Sequence, residues 1–73
     1  MNNREIEKIH FAVFVIDALS KDWNKPTDEV YKTLHEVDLI ENYILECYDV
    51  LHTIGIEAIV FDINDKLSMV RGK

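Results

Sequence analysis

Apolar residues recur at helical spacing in four stretches of this chain. In the first stretch the spacing is i, i+3, i+7 and i+10, as expected for one face of a helix: Ile6, Ile9, Val13 and Ile16. Similar three- and four-residue spacings mark the later stretches. The pattern therefore predicts four helices, over residues 3–22, 26–36, 38–53 and 56–70. We expect them to pack in an orthogonal or bundle-like way as a single all-α domain over residues 1–73.

Residues with known positional preferences mark the predicted helix ends. Pro26 suits the first position of a helix, where its missing N–H has no partner to lose. Asp38 is followed three residues later by Glu41, which is the spacing of a capping box. Gly55 suits the left-handed position that closes many helices. A strand over residues 56–63 is the alternative for the last stretch because its apolar run is β-prone, although a lone strand would lack a partner.

The first predicted helix carries a second apolar stripe, formed by Phe11, Val15 and Ala18. A helix that is apolar nearly all round is usually central in its fold. If the stripe of isoleucines and Val13 forms the core, the second stripe is exposed and needs a cover. That cover is a partner protein, a second copy of the chain, or Trp23 or the last helix folded over it. We predict that Phe11, Val15 and Ala18 form a partner interface.

A chain of 73 residues builds a core worth only about 3–5 kcal/mol, so additional stabilisation is expected. The single cysteine, Cys47, excludes an internal disulfide. The three histidines, at positions 10, 35 and 52, show no paired ligand spacing with it, so we predict no metal site and no cofactor. The additional stabilisation is therefore expected from helix packing, from an oligomer or from a binding partner.

The formal net charge is −6, and the acidic residues are spread along the chain. This charge disfavours nucleic acid and anionic membranes as partners and suits a basic protein. An acidic mimic of nucleic acid is a further alternative. The longest apolar run, residues 11–16, is far shorter than the ~20 residues of a membrane span. With a polar, acidic start and a lone thiol, these features predict a cytoplasmic location.

The segment from Tyr48 to Gly55 is richest in functional residue types. Four of its side chains lie within one and a half helical turns and could bind a small polar ligand: Tyr48, Asp49, His52 and Thr53. A histidine with a pKa near neutrality could act there as a general base. The alternative is a well-formed helix end, in which His52 faces the negative end of the helix dipole and Gly55 closes the helix. The spacing favours the helix end, so we predict no catalytic residue and keep the four side chains as a candidate binding cluster.

Three segments of the chain resemble a known family. They are the Tyr-Asp-x-Leu-His-Thr-x-Gly run at 48–55, the apolar stretch Phe-Ala-Val-Phe-Val-Ile at 11–16, and the Pro-Thr-Asp-Glu-Val-Tyr helix start at 26–31. Together they make the chain similar to a family of small bacterial helical domains of unknown function.

The resemblance implies a context rather than an activity. Relatives are often found beside a larger protein that looks like an ADP-ribosyltransferase-type toxin. That context implies an accessory or antitoxin-like protein that binds such a toxin, or itself as a homodimer. We therefore predict a non-enzymatic interaction protein, with ligand binding or catalysis at the Tyr48 cluster as one alternative and the acidic mimic as the other.

Overall fold

Helical segments account for most of residues 3–71, which are the residues described by this computed structural model. The segments are α1 (Asn3–Trp23), α2 (Thr27–Glu36), a π-helical segment (Ile40–Leu45), α3 (Tyr48–Leu51) and α4 (Ile56–Arg71). This confirms the all-α prediction, and the alternative strand over residues 56–63 is wrong because α4 covers that range. Within the described residues, no helix combines the length and the apolar character required to cross a membrane.

The longest helix, α1, sets the length of the molecule. Its 21 residues rise about 31 Å, which accounts for most of the 39 Å long dimension. The other helical segments pack along it, with α2, the π-helical segment and α4 in direct contact with α1. Asn24, with a φ of 56°, turns the chain back towards α2. Pro26 lies one residue before that helix, where its carbonyl accepts the first backbone N–H bonds of α2.

The core draws at least one buried side chain from every helical segment. α1 supplies Ala12, Val15 and Leu19, α2 supplies Val30 and Leu34, the π-helical segment Ile44, α3 Leu51, and α4 Ile59, Ile63 and Leu67. Seven of the ten have an exposed fraction of 0–1%. The remaining helical residues surround one apolar cluster, so each segment is stabilised by its contribution to that cluster rather than by its own length.

The face of α1 that enters the core is the opposite of the one predicted. Val15 is fully buried, and Phe11 and Ala18 are half-buried, so the expectation that their stripe is exposed is wrong. Ile9 and Val13, placed in the core by the sequence pattern, are instead 44% and 59% exposed. Both stripes have helical spacing, and only the positions of α2 and α4 decide which one is covered.

The predicted third helix, 38–53, is interrupted rather than continuous. Its first part is π-helical, with the N–H of Glu46 bonded to the carbonyl of Glu41 at 3.2 Å, five residues back. Cys47, with φ −98° and ψ 18°, separates this part from the single turn of α3. The capping box at Asp38 is also wrong, because Leu39 occupies the N-cap position and no side chain caps the segment. Asp38 adopts a left-handed φ of 60° and ends α2 instead.

Gly55 begins a helix rather than ending one. Its φ is not positive, which excludes the predicted left-handed closing position. Its carbonyl accepts the N–H groups of Ala58 at 3.1 Å and Ile59 at 3.3 Å, as an N-cap residue does. The preceding turn is closed by backbone bonds from Thr53 and Ile54.

Candidate functional site

The four predicted binding residues lie in α3 and the turn that follows it, and the rings of two of them stack on each other. The Tyr48 and His52 rings are 4.7 Å apart between centroids and within 13° of parallel. Phe11 of α1 meets the Tyr48 ring edge-on, with centroids 5.4 Å apart. Tyr48 is therefore held between the first helix and His52, in a geometry that aromatic pairs prefer.

The polar groups of this cluster bond mainly to their own helix end. His52 Nδ1 lies 2.8 Å from the carbonyl oxygen of Tyr48, and the Thr53 hydroxyl donates to the carbonyl of Val50 at 2.6 Å. The Asp49 carboxylate forms an ion pair with the guanidinium of Arg4, and both side chains are more than half exposed. These contacts close the turn after α3 and tie it to the start of α1. Four surface grooves of the described residues are lined by other side chains.

A network of polar side chains lies at the C-terminal end of α1, and no local sequence pattern indicates it. Trp23 Nε1 donates to Asn64 Oδ1 at 2.7 Å, and Asn64 Nδ2 donates to Asp22 Oδ2 at 3.0 Å. Asn64 lies 41 and 42 positions away along the chain, so only the fold brings these groups together. The network positions α4 against the last turn of α1.

A second polar contact joins the π-helical segment to α4. The Tyr43 hydroxyl donates to the Asp62 carboxylate, and Lys66 Nζ lies 3.9 Å from Asp62 Oδ2 and 4.9 Å from the centre of the Tyr43 ring. Burial of the phenol, followed by the hydrogen bond to Asp62, raises the pKa of Tyr43 well above its ordinary value near 10. Tyr43 thus stays protonated and acts as a hydrogen-bond donor, which suits a structural contact.

An exposed apolar groove lies between α1 and α2 and is here called the α1–α2 groove. The apolar side chains that line it, here called its floor, are Val13, Phe14, Ile16 and Tyr31. The exposed fractions of Val13, Phe14 and Tyr31 are 59%, 54% and 47%, so this floor faces solvent. The Tyr31 ring is supported from behind by His35, stacked at 5.7 Å and within 7° of parallel.

Carboxylates and a histidine line the edges of this groove. Asp17 of α1 and Asp28 of α2 lie at one end, and His10 lies two helical turns before Asp17 along α1. Asp17 forms an i,i+4 ion pair with Lys21 at 3.5 Å. The sequence pattern missed the groove because it placed Val13 and Ile16 in the core. The predicted interface residue Val15 is fully buried in the core and does not line this groove.

Metal ligands do not converge in the described part of the chain, where no group of three or more histidine, cysteine, aspartate or glutamate side chains could hold a metal ion. Cys47 is a free, half-buried thiol packed against the core.

These features define a small all-α domain with an open apolar groove between its first two helices and polar contacts that fix its last helix. Residues 10–68 match the family described as "Protein of unknown function (DUF3791)", and the chain belongs to this family. The matched range includes the whole α1–α2 groove and most of α4. No curated protein and no solved structure matches the chain. The family description names no activity.

Proposed function

We propose that this protein is a non-enzymatic interaction module that binds a partner protein through the α1–α2 groove. The observation that carries the proposal is the exposure of Val13, Phe14 and Tyr31, which are contiguous, large and about half accessible. Small monomeric domains rarely expose a contiguous apolar surface that has no role in binding.

The composition of the groove resembles the centre of a protein interface. Such centres are rich in aromatic and aliphatic side chains, and their polar residues lie at the rim. Here Phe14 and Tyr31 lie in the floor, and Asp17 and Asp28 lie at the edge. The Tyr48 cluster offers less to a ligand, because His52 and Thr53 bond backbone carbonyls and Asp49 is paired with Arg4.

An accessory or antitoxin-like role is the form of the proposal that the resemblance supports. The first partner to test is therefore an ADP-ribosyltransferase-like protein encoded beside this chain, in a cytoplasmic setting. A second copy of the chain is the other partner to test, because a homodimer would cover the same groove.

Two phenylalanines on different helices provide a matched test. Phe14 lies in the groove and is 54% exposed, whereas Phe61 lies on α4 and is 74% exposed. Phe14→Asp should weaken binding to the neighbouring protein about tenfold or more, because a carboxylate would enter the centre of the interface. Phe61→Asp should leave binding unchanged. Isothermal titration calorimetry measures both affinities, and thermal melts establish that both variants fold.

If Phe61→Asp weakens binding more than Phe14→Asp does, the interface does not lie in the α1–α2 groove. Phe61 lines a cavity with Ala18, one of the residues predicted from sequence as a partner contact. If Phe61→Asp abolishes binding and Phe14→Asp does not, the α1–α4 surface is the interface and the groove proposal fails. Binding by both variants at the wild-type affinity would also refute it.

A further inference from the structure

We infer that the occupant of the α1–α2 groove is a basic amphipathic helix of the partner protein. This inference rests on the proposed function and adds the chemistry of the segment that binds. It follows from the length of the groove, the apolar character of its floor and the charge of its edges.

The length of the groove matches two turns of a helix. His10 and Asp17 line the groove seven residues apart on α1, which corresponds to a rise of about 10 Å. A helix that docks through apolar residues at i, i+3 or i+4, and i+7 covers the same distance. The cavity volume of about 680 Å³ leaves room for several side chains of such a helix above Phe14 and Tyr31.

The edges of the groove favour positive charge. Asp17 and Asp28 lie at one end. Glu7 precedes His10 by three residues and Phe14 by seven, so it lies on the same side of α1 one turn beyond the other end. Lys21 is paired with Asp17 and offsets one of these three carboxylates. The whole chain carries a formal charge of −6, which adds to the attraction of a basic partner.

Lysine and arginine side chains fit this combination of an apolar floor and acidic edges. Their methylene stems cover apolar surface while the charged ends reach the rim. A guanidinium or ammonium group can also lie over an aromatic face, and the Phe14 and Tyr31 rings are both exposed. A helix with an apolar centre and basic flanks therefore satisfies the floor and the edges together.

A second copy of the chain fits less well. In a two-fold symmetric contact the patch meets itself with its two ends exchanged, so Asp17 and Asp28 of one copy would lie opposite the His10 end of the other, where Glu7 also carries a negative charge. Like charges placed opposite each other at an interface favour a different partner. Charge complementarity thus selects a basic segment over self-association.

The test uses the full 73-residue chain and two designed helical peptides. Both peptides carry leucines along one face; one has lysines on the flanks of that face and the other has glutamates at the same positions. Fluorescence anisotropy of labelled peptide measures affinity, and amide chemical-shift changes locate the site. The lysine peptide should bind roughly tenfold or more tightly than the glutamate peptide. Its affinity should fall with added salt, and it should shift the amides of Val13, Phe14 and Tyr31.

Charge variants of the chain supply the matched control. Asp28 at the groove and Asp65 on α4 are both exposed carboxylates. Asp28→Lys should weaken the lysine peptide by several-fold and Asp28→Asn by less, whereas Asp65→Lys should have no effect beyond the small change in net charge. The asparagine variant keeps the size of the side chain and one of its acceptor oxygens, so it separates the loss of charge from a change of shape.

Three results would overturn the inference. They are equal affinity for the two peptides, an effect of Asp65→Lys as large as that of Asp28→Lys, and no binding of the lysine peptide at all. If the peptides fail while Phe14→Asp still abolishes binding of the native partner, the proposed function stands and only the basic-helix inference falls. If light scattering shows a dimer that Phe14→Asp dissociates, the occupant is a second copy and the inference is wrong.

Discussion

Val15 and Val13 lie two residues apart on α1, and truncating each of them tests which face of the helix enters the core. Val15 is fully buried among side chains of the core, whereas Val13 is 59% exposed in the α1–α2 groove. The same change, valine to alanine, removes the same two methyl groups at both positions. Any difference between the two variants therefore reports the surroundings and not the chemistry of the substitution.

The magnitudes follow from burial. At Val15 the lost transfer energy is about 0.8 kcal/mol per methyl group, and the cavity left behind raises the loss of unfolding free energy to about 2–3 kcal/mol. That is half or more of the stability expected for a domain of this size and corresponds to a fall in melting temperature of about 10–20 °C. At Val13 little burial is lost, and alanine is the better helix former, so the change should stay within about 0.5 kcal/mol.

Urea denaturation followed by far-ultraviolet circular dichroism measures both values on the free chain. Each variant is measured at two protein concentrations, because self-association would make the stability depend on concentration. A loss at Val13 as large as that at Val15, independent of concentration, would refute the assignment of the buried face. Such a result would support the sequence-based prediction that Val13 and the isoleucines of α1 face the core.

Two further predictions concern single residues outside the groove. Because the pKa of Tyr43 is raised in the folded state, its contribution to the unfolding free energy should be fully present below pH 10 and should fall as the pH rises above 10. Tyr43→Phe should remove this pH dependence and lower the unfolding free energy by about 1 kcal/mol, because the hydrogen bond to Asp62 is lost. Urea unfolding across alkaline pH measures both effects. A variant that keeps the same alkaline slope would contradict this cause. Asp38 has a left-handed φ of 60°, which glycine adopts without strain, so Asp38→Gly should be neutral or stabilise the fold by up to about 1 kcal/mol. Asp65→Gly in the middle of α4 should destabilise the fold by about 1 kcal/mol, because glycine is a poor helix former. Equal losses at the two positions would show that the left-handed backbone carries no strain.

The sequence pattern predicted the helices well because each has an apolar face of regular spacing. The start of α1, the start of α2 near Pro26 and the whole of α4 were found within one or two residues. The π-helical segment was missed because it is defined by backbone bonds five residues apart, and no side chain marks it. Gly55 was misplaced because the same residue suits either the end of one helix or the start of the next.

The candidate site was harder to predict than the fold. Its position depends on which stripe of α1 is covered, and both stripes have helical spacing. The floor of the groove also combines Phe14 of α1 with Tyr31 of α2, a pair that no single helical repeat can relate. The proximity of Tyr48 and His52 could be predicted because the two residues are local in sequence, whereas the contact of Tyr48 with Phe11 could not.

The π-helical segment also bears on how homologous chains can vary in length. A ladder that bonds five residues back takes up one residue more than an α-helical turn before the chain continues. Losing one residue inside 40–45 would return this turn to α-helical bonding and leave Ile44 and Leu51 on the core side. Losing one residue within α1 or α4 would instead rotate everything beyond it by about 100° and carry buried side chains into water. Insertions and deletions of single residues in this family should therefore concentrate in the segment between α2 and α3.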